Sequence, residues 1–292
     1  MRRIFTVDSN YLRRNDLRAL AHDPDAHTFI VPDLVMFEQV KPEHRESTFR
    51  SSLRILSEIP DRVVIGRSVS ELLRHELATR EAIQDFAIFR EATPVMRLIL
   101  EAVRHDATNE VLDEILNDPT NHIPALIEDH LDHEENRRRA HLFQYETFEQ
   151  QFSREFHRRL RRNEVGDDEL ALVTKHGSVQ LCFYVLRNHW NFSDKEALDL
   201  INAQGVVMRY HYVKFWIALK LSVRDQLRNR RADEISNDNV DAHNAIIGSQ
   251  HGNFLTLDAL AASASEIAHQ MATDGIRYRL DDANGQISIV PI

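Results

Sequence analysis

Two short runs near the C-terminal end of the chain decide its expected fold: NDNVDA at residues 237–242 and FLTLD at residues 254–258. In the first run, Asp238 and Asp241 stand where a helical pattern opens. In the second run, Asp258 follows a short apolar strand, and strand alternation points Thr256 to the same face. The two runs therefore place three carboxylates where they can converge at one end of a sheet.

Two further acidic residues stand at comparable places near the N-terminus. Asp8 ends the apolar stretch IFTV at residues 4–7, and Glu38 lies within the first two turns of a helix predicted to open at Asp33. Like charges brought this close require a cation, and carboxylate oxygens are hard ligands that suit Mg²⁺ or Mn²⁺. The alternative is that Asp8, Glu38 and Asp258 only cap helices.

The order of predicted elements indicates an α/β fold. Strands alternate with helices over residues 3–66, including a helix over 51–59, which is the pattern of βαβ units and a parallel sheet. Residues 69–205 show helical patterns and no convincing strand, with helices that include 69–90, 168–175 and 179–187 and a capping box of Ser193 and Glu196. The rest of the chain predicts a helix over residues 209–231, a short helix over 242–249, a strand at 254–257, a helix over 259–273 and a hairpin around 284–285. We therefore predict one domain in two halves, residues 1–68 and residues 206–292 with the C-terminal hairpin, separated by a helical insertion of residues 69–205.

Composition restricts the class of protein. Charged residues at 28% and hydrophobic residues at 42% are typical of a soluble globular chain. The single cysteine, Cys182, cannot form an internal disulfide and fits a reducing compartment. Neither a signal-peptide core nor an apolar run long enough to span a membrane is present. We expect a cytoplasmic protein that does not insert into a membrane.

The net charge of −10 argues against a surface that is basic throughout, but it leaves room for a local basic groove. A basic stripe follows one face of the helix predicted over residues 209–231, and it consists of Lys220, Arg224, Arg228 and Arg231. The stripe is either a solvated face near a helix C-terminus, where cations are favoured, or a surface that binds RNA phosphates.

Four features, taken in chain order, resemble the PIN-domain ribonucleases: an apolar strand ending in VDSN at residues 7–10, Glu38 early in the second helix, NDNVDA, and the strand ending LTLD. The resemblance covers residues 3–66 and 209–273. It implies a PIN-like three-layer fold with an acidic quartet and a fifth carboxylate, which would be Asp8, Glu38, Asp241 and Asp258 with Asp238. It also implies that small polar residues support the metal site, namely Ser9, Asn10, Asn237 and Thr256.

The resemblance implies a metal-dependent endoribonuclease that cleaves RNA phosphodiester bonds with Mg²⁺ or Mn²⁺ and leaves a 5′-phosphate. A bacterial toxin or defence effector is the biology that fits it best. The helical insertion would restrain the site, bind a particular RNA, or bind a regulatory protein or a second copy of the chain. Two alternatives stay open: a nuclease acting on DNA flaps or single strands, and a non-catalytic PIN-like scaffold that binds a protein through its insertion.

Overall fold

Four short parallel strands form one sheet, and helices make up most of the rest of the chain. The computed structural model describes residues 1–40, 44–117, 150, 152–222, 231–283 and 286–292. The strands of the sheet are β1 (Ile4–Val7), β2 (Thr28–Val31), β3 (Val63–Ile65) and β4 (Phe254–Leu255). The predicted α/β class with a parallel sheet is confirmed.

The strand order is β3-β2-β1-β4, so the direction of the chain across the sheet reverses at β1. The register pairs Ile4 with Thr28, Phe29 with Val63, and Thr6 with Phe254. From β1 the chain proceeds outward to β2 and β3, and it returns much later to add β4 on the other side of β1. In open parallel sheets, ligands bind outside the carboxyl ends of the strands at such a reversal.

The described helices have the following bounds: α1 (Asn15–Ala21), α2 (Asp33–Val40), α3 (Arg45–Leu53), α4 (Val69–Thr79), α5 (Thr93–Arg104), α6 (Glu110–Asn117), α7 (Arg154–Arg161), α8 (Asp167–Trp190), α9 (Asp194–Ala203), α10 (Val206–Ser222), α11 (Ala232–Ser249) and α12 (Ala259–Thr273). Short 3₁₀ helices occupy Ser9–Tyr11, Leu56–Glu58, Pro60–Arg62 and Arg90–Ala92. Among the described residues, no helix has the length and apolar character required to cross a membrane.

Contacts divide the chain into two compact units, each made of three segments. Unit 1 comprises Met1–Glu71, Asp85–Leu131 and His243–Ala262, and unit 2 comprises Leu72–Gln84, Asp132–Ala242 and Ser263–Ile292. This grouping differs from the predicted order of residues 1–68, 69–205 and 206–292, because α5 and α6 of the predicted insertion belong with the sheet.

The core of unit 1 lies on one face of the sheet. Phe5 and Val7 of β1 are buried in it, together with apolar residues of α5 such as Met96 and Leu100. Because neighbouring strand residues point to opposite faces, Thr6 and the following Asp8 lie on the other face. Both are nevertheless almost fully buried, at 1% and 2% exposure. Polar side chains are therefore enclosed on this second face of β1.

Unit 2 is built around the contact between α8 and α10. The sequence predicted two helices, over residues 168–175 and 179–187, but the structure has the single helix α8. Gly177 lies in its middle and allows the Phe215 ring of α10 to approach closely, since a Cβ at that position would come within 2.2 Å of the ring. Gly177 is therefore a packing site inside a continuous helix.

A buried carboxylate fixes the start of α10. Glu76 of α4 is 0% exposed, and its carboxylate accepts hydrogen bonds from the backbone N–H groups of Ile83, Val206 and Val207 at 2.8 to 2.9 Å. These include N–H groups of the first turn of α10, which have no partner within their own helix. Gly205 is required here, because a Cβ would come within 2.3 Å of the Glu76 Oε1 atom.

The C-terminal hairpin is confirmed, since β5 (Tyr278–Ala283) pairs antiparallel with β6 (Gln286–Pro291). Its predicted turn at residues 284–285 lies outside the described residues. Asn202 of α9 holds β5 through its side chain, donating to the Tyr278 carbonyl at 2.9 Å and accepting from the Tyr278 N–H at 2.8 Å. The predicted capping box of Ser193 and Glu196 is also present.

Several predicted helix ends were wrong. The helix predicted over residues 69–90 ends at Thr79, where Arg80 adopts the left-handed conformation with φ of 62°. The helix predicted over residues 51–59 is replaced by α3 and two 3₁₀ turns. The described part of the helix predicted over residues 209–231 is α10, and residues 223–230 lie outside the described residues.

Enlarging Gly177 tests the packing of unit 2. We expect Gly177→Ala to reduce the free energy of unfolding by about 1–3 kcal/mol, because overpacking forces the Phe215 ring or the backbone to move. Gly166→Ala is the matched control, since a Cβ there meets nothing within 4 Å. Both values can be measured by chemical denaturation, and equal effects of the two substitutions would contradict this account of the helix contact.

Candidate metal centre

Asp8 stands at the carboxyl end of β1, beside the reversal of strand order, and its carboxylate accepts four hydrogen bonds. Oδ1 accepts from the Ser9 N–H at 2.8 Å and from Asn244 Nδ2 at 3.2 Å. Oδ2 accepts from Asn10 Nδ2 at 2.9 Å and from the Thr256 hydroxyl at 2.6 Å. A carboxylate offers about four acceptor positions. Protein donors therefore occupy all four, and three separate segments of the chain meet at this group.

The segment after β4 is aligned by the same network. Asn10 Oδ1 accepts the Leu257 N–H at 2.8 Å, and the Thr256 hydroxyl oxygen accepts the Asp258 N–H at 3.0 Å. Three of the residues predicted to support the site, Ser9, Asn10 and Thr256, are thus brought together at Asp8. Their polar groups fix the backbone that leads from β4 into α12.

Asp258 has one carboxylate oxygen occupied and one open. Oδ1 accepts the Ala261 N–H at 2.7 Å and so caps the N-terminus of α12. Oδ2 makes no hydrogen bond in the part of the chain that the structure describes. Helix capping and metal binding are therefore compatible at Asp258, because they use different oxygens.

The pKa of the Asp8 carboxyl is raised above its ordinary value, first by burial and further by the negative charge of Asp258. Hydrogen bonds from Thr256, Ser9 and Asn244 oppose the shift. The two residues are also linked through Thr256, whose hydroxyl donates to Asp8 and accepts the Asp258 N–H. A cation placed there would relieve both the burial of charge and this repulsion.

Sequence reasoning missed Asn244 of α11. Asn244 is 0% exposed, and while its Nδ2 donates to Asp8, its Oδ1 is buried without a hydrogen-bond partner among the described residues. Thr6 Oγ1, on the same face of β1 as Asp8, is also buried without a partner there. One unpartnered buried oxygen therefore belongs to a residue that contacts Asp8, and another lies two residues before Asp8 on the same face of β1. Oxygen atoms are the ligands that suit a hard divalent cation.

The other predicted acidic residues occupy two different helices. Glu38 is half-buried on α2 in unit 1, within the first two turns as predicted. Asp238 and Asp241 are half-buried, and Asn237 is exposed, on the part of α11 in unit 2. The prediction that these residues open a helix was wrong. Because α11 begins at Ala232, they lie inside it.

A lysine faces the acidic part of α11. Lys214 Nζ on α10 donates to Asn239 Oδ1 at 2.6 Å. Burial lowers the pKa of Lys214 to about 8, and the charge of Asp238 opposes that shift. Within unit 2, the negative charge of Asp238 is therefore partly offset by the protein itself.

The described members of the basic stripe have acidic neighbours. Lys220 Nζ lies 2.6 Å from Asp167 and 4.6 Å from the centre of the Trp216 ring, and the Arg231 guanidinium lies 3.8 Å from Glu234. The remaining members, Arg224 and Arg228, lie outside the described residues. Binding of RNA by this stripe stays a prediction.

One other group has the composition of a metal site. Among the described residues, Asp23, Asp25 and His27 are the one set of three such side chains whose ligand atoms lie within 4.8 Å of one another. However, Asp25 pairs with the N-terminal ammonium, and His27 Nδ1 accepts the Arg3 N–H at 3.2 Å. Nε2 of neutral His27 then carries the proton, so neither ring nitrogen is available to a metal. This group lies near the start of β2, at the opposite end of the sheet from Asp8.

Comparison with protein-family models, with curated proteins and with solved structures gives no match for this chain.

Asp33 is a second acidic residue at the carboxyl end of the sheet, two residues after β2. Burial raises the pKa of Asp33 to about 7, the charge of Glu71 adds to the shift, and hydrogen bonds from the Leu34 N–H and from Ser68 oppose it. The sequence marked Asp33 only as a helix start, because an environment that shifts a pKa cannot be recognised from the residue type.

Substitution of Asp33 should flatten the dependence of stability on pH. Its folded-state pKa of about 7 lies above the ordinary 3.8, so its stabilising contribution is complete below pH 3.8 and is lost as the pH rises to about 7. We expect Asp33→Asn to be more stable than wild type at pH 8, with a smaller difference between pH 5 and pH 8 in chemical denaturation. Asp16→Asn, at an exposed position on α1, should keep the wild-type profile. Identical profiles for wild type and Asp33→Asn would contradict the assignment.

Proposed function

We propose that this chain is a metal-dependent endoribonuclease with a PIN-like fold, built on the carboxylates at the end of the parallel sheet. The observation that carries the proposal is the meeting of Asp8 and Asp258 beside β1 and β4, where the strand order reverses. This is the place where parallel sheets bind ligands, and the donors present there are those that hold Mg²⁺ or Mn²⁺. Support also comes from the order of the four sequence features.

The residues divide into those that hold a cation and those that hold the ligands in place. Asp258 offers its open Oδ2, and Asp8 offers a buried carboxylate whose charge needs compensation. Glu38 and Asp241 complete the proposed quartet, and Asp238 is the fifth carboxylate. Ser9, Asn10 and Thr256 position Asp8 and the backbone before Asp258.

A divalent cation bound at these residues would supply an activated water and stabilise the charge that develops on the phosphate oxygens. The chain itself supplies the negatively charged ligands. It also holds Asp258 in place, because the Asp258 N–H donates to the Thr256 hydroxyl and the Asp258 Oδ1 accepts the Ala261 N–H at the start of α12. RNA is the proposed substrate, and a 5′-phosphate is the proposed product. Lys220, Arg224, Arg228 and Arg231 are proposed to contact the RNA backbone.

We also propose a biological setting for this activity. A cytoplasmic toxin or defence effector fits a chain whose one cysteine, Cys182, is a buried free thiol. A regulatory protein or a second copy of the chain is the proposed partner of the helical insertion predicted over residues 69–205. A nuclease that acts on DNA flaps or single strands uses the same carboxylates, and substrate competition separates it from an RNA enzyme.

One observation favours a non-catalytic scaffold as the second candidate. All four acceptor positions of Asp8 are filled by protein donors, so this carboxylate also serves as a structural junction between β1, β4 and α11. A chain that kept the junction but lost the metal would retain the fold and use its helices to bind a protein partner. Direct measurement of metal binding distinguishes the two candidates.

Asp258→Asn is the sharpest test of the nuclease. Asparagine keeps a side-chain oxygen to cap α12 but removes the negative charge, so the fold should persist while metal binding and cleavage are lost. We expect wild type to cut single-stranded RNA with Mg²⁺ or Mn²⁺ and not with EDTA. The variant should lose at least about a hundredfold in rate, which is the effect of removing one group that stabilises charge in a transition state. Asp16→Asn is the matched control for removal of a surface carboxylate.

The same samples should be titrated calorimetrically with Mn²⁺ and offered single-stranded DNA. Preferred cutting of DNA would support the flap or single-strand nuclease. A wild-type protein that binds no Mn²⁺ and cuts neither polymer would favour the scaffold, whereas full activity of Asp258→Asn would remove Asp258 from the site.

A further inference from the structure

We propose that Asn244 is a ligand of the divalent cation, and that its side-chain amide turns over when the cation binds at Asp8. This inference rests on the proposed metal site and adds a residue that the sequence features do not include. It is carried by the buried, unpartnered Asn244 Oδ1 and by the contact of Asn244 Nδ2 with Asp8.

The Asn244 amide is oriented in the structure to donate to Asp8. Asp8 as a carboxylate can only accept, so Asn244 must turn Nδ2 toward Asp8 Oδ1, at 3.2 Å. This leaves Asn244 Oδ1 in a fully buried position with no hydrogen bond among the described residues. A buried unsatisfied acceptor is unfavourable, and such groups are uncommon in native proteins. The amide thus satisfies Asp8 and leaves its own oxygen unsatisfied.

Turning the amide by half a rotation about χ2 exchanges the two atoms without moving the backbone. Asn244 Oδ1 then lies beside Asp8 Oδ1, and the two oxygens form a pair of ligands for one hard cation. The contact that must be given up is the longest of the four that Asp8 accepts, since the other three measure 2.6 to 2.9 Å. Asn244 is therefore the donor that a cation can replace with least disturbance.

Thr6 provides a second enclosed oxygen on the same face of β1. Its Oγ1 is buried without a partner in the described chain, and the side chain lies two residues before Asp8 on the same strand. The hydroxyl can donate to a cation-bound water.

The test compares Asn244→Leu with Asn244→Asp. Leucine has a similar size but no ligand atom, and we expect it to weaken the binding of Mn²⁺, measured by calorimetry, by at least about tenfold, the lower end of effects seen when groups around metals are removed. Aspartate cannot donate to Asp8, but it offers two ligand oxygens. We expect Asn244→Asp to melt at a lower temperature than wild type without a cation and to gain more in melting temperature on addition of Mn²⁺.

Asn15→Leu and Asn15→Asp, at the exposed first position of α1, are the matched controls and should bind Mn²⁺ as wild type does. If the side chain at position 244 does not face the cation, Asn244→Asp should gain no more from Mn²⁺ than wild type does. That result, or unchanged Mn²⁺ affinity in Asn244→Leu, would overturn the ligand role. If Asn244→Leu fails to fold, the aspartate variant still decides the question.

Failure of this inference is distinguishable from failure of the proposed function. Wild type that binds no Mn²⁺ removes the metal site and Asn244 with it. Wild type that binds Mn²⁺ and loses binding in Asp258→Asn but keeps it in Asn244→Leu leaves the nuclease standing and overturns only the role of Asn244.

Discussion

The hydrogen bonds to the Asp8 carboxylate are the interaction on which the sheet depends. A charge that is 2% exposed is strongly unfavourable unless it is paired or hydrogen-bonded. Four donors satisfy it, and they come from the turn after β1, from the segment after β4 and from α11. Because β4 has only two residues, ladder hydrogen bonds alone hold it weakly, and the Thr256 hydroxyl supplies an additional attachment. The hydrogen bonds that satisfy the Asp8 carboxylate therefore also hold β4 beside β1.

Because of these hydrogen bonds, the residues that cap helices next to β1 and β4 are also the proposed metal ligands. The alternative considered from the sequence, that Asp8 and Asp258 only cap helices, is partly realised, since Asp8 accepts the Ser9 N–H and Asp258 caps α12. A capping carboxylate is held in a fixed rotamer, and a fixed rotamer is what a metal ligand requires. The open Oδ2 of Asp258 shows how a structural role and a chemical role can be divided between two oxygens of one side chain.

The sequence predicted the strand-helix alternation, the place of Asp8 and the meeting of Asp8 with Thr256 and Asp258, because these depend on short-range patterns and on the parallel sheet. It did not predict where α11 begins, since Ser, Asn and Asp favour caps over helix interiors. Burial of Ile235, Val240 and Ile246 overrides that preference. Asn244 was missed because a single asparagine in an apolar helical run carries no sign of its burial. Asp33 was missed for the same reason, and α8 was predicted as two helices because the Phe215 ring that packs on Gly177 in its middle comes from a distant helix.

The late position of β4 in the chain has a consequence for synthesis. Thr256 and Asp258 follow Asp8 by about 250 residues, and Asn244 comes only shortly before them. A nascent chain can form β1, β2 and β3 long before these residues have left the ribosome, so the acidic site stays incomplete until they emerge. If the chain cuts RNA as proposed, the ribosome and messenger that produce it are exposed only to an inert intermediate up to that point.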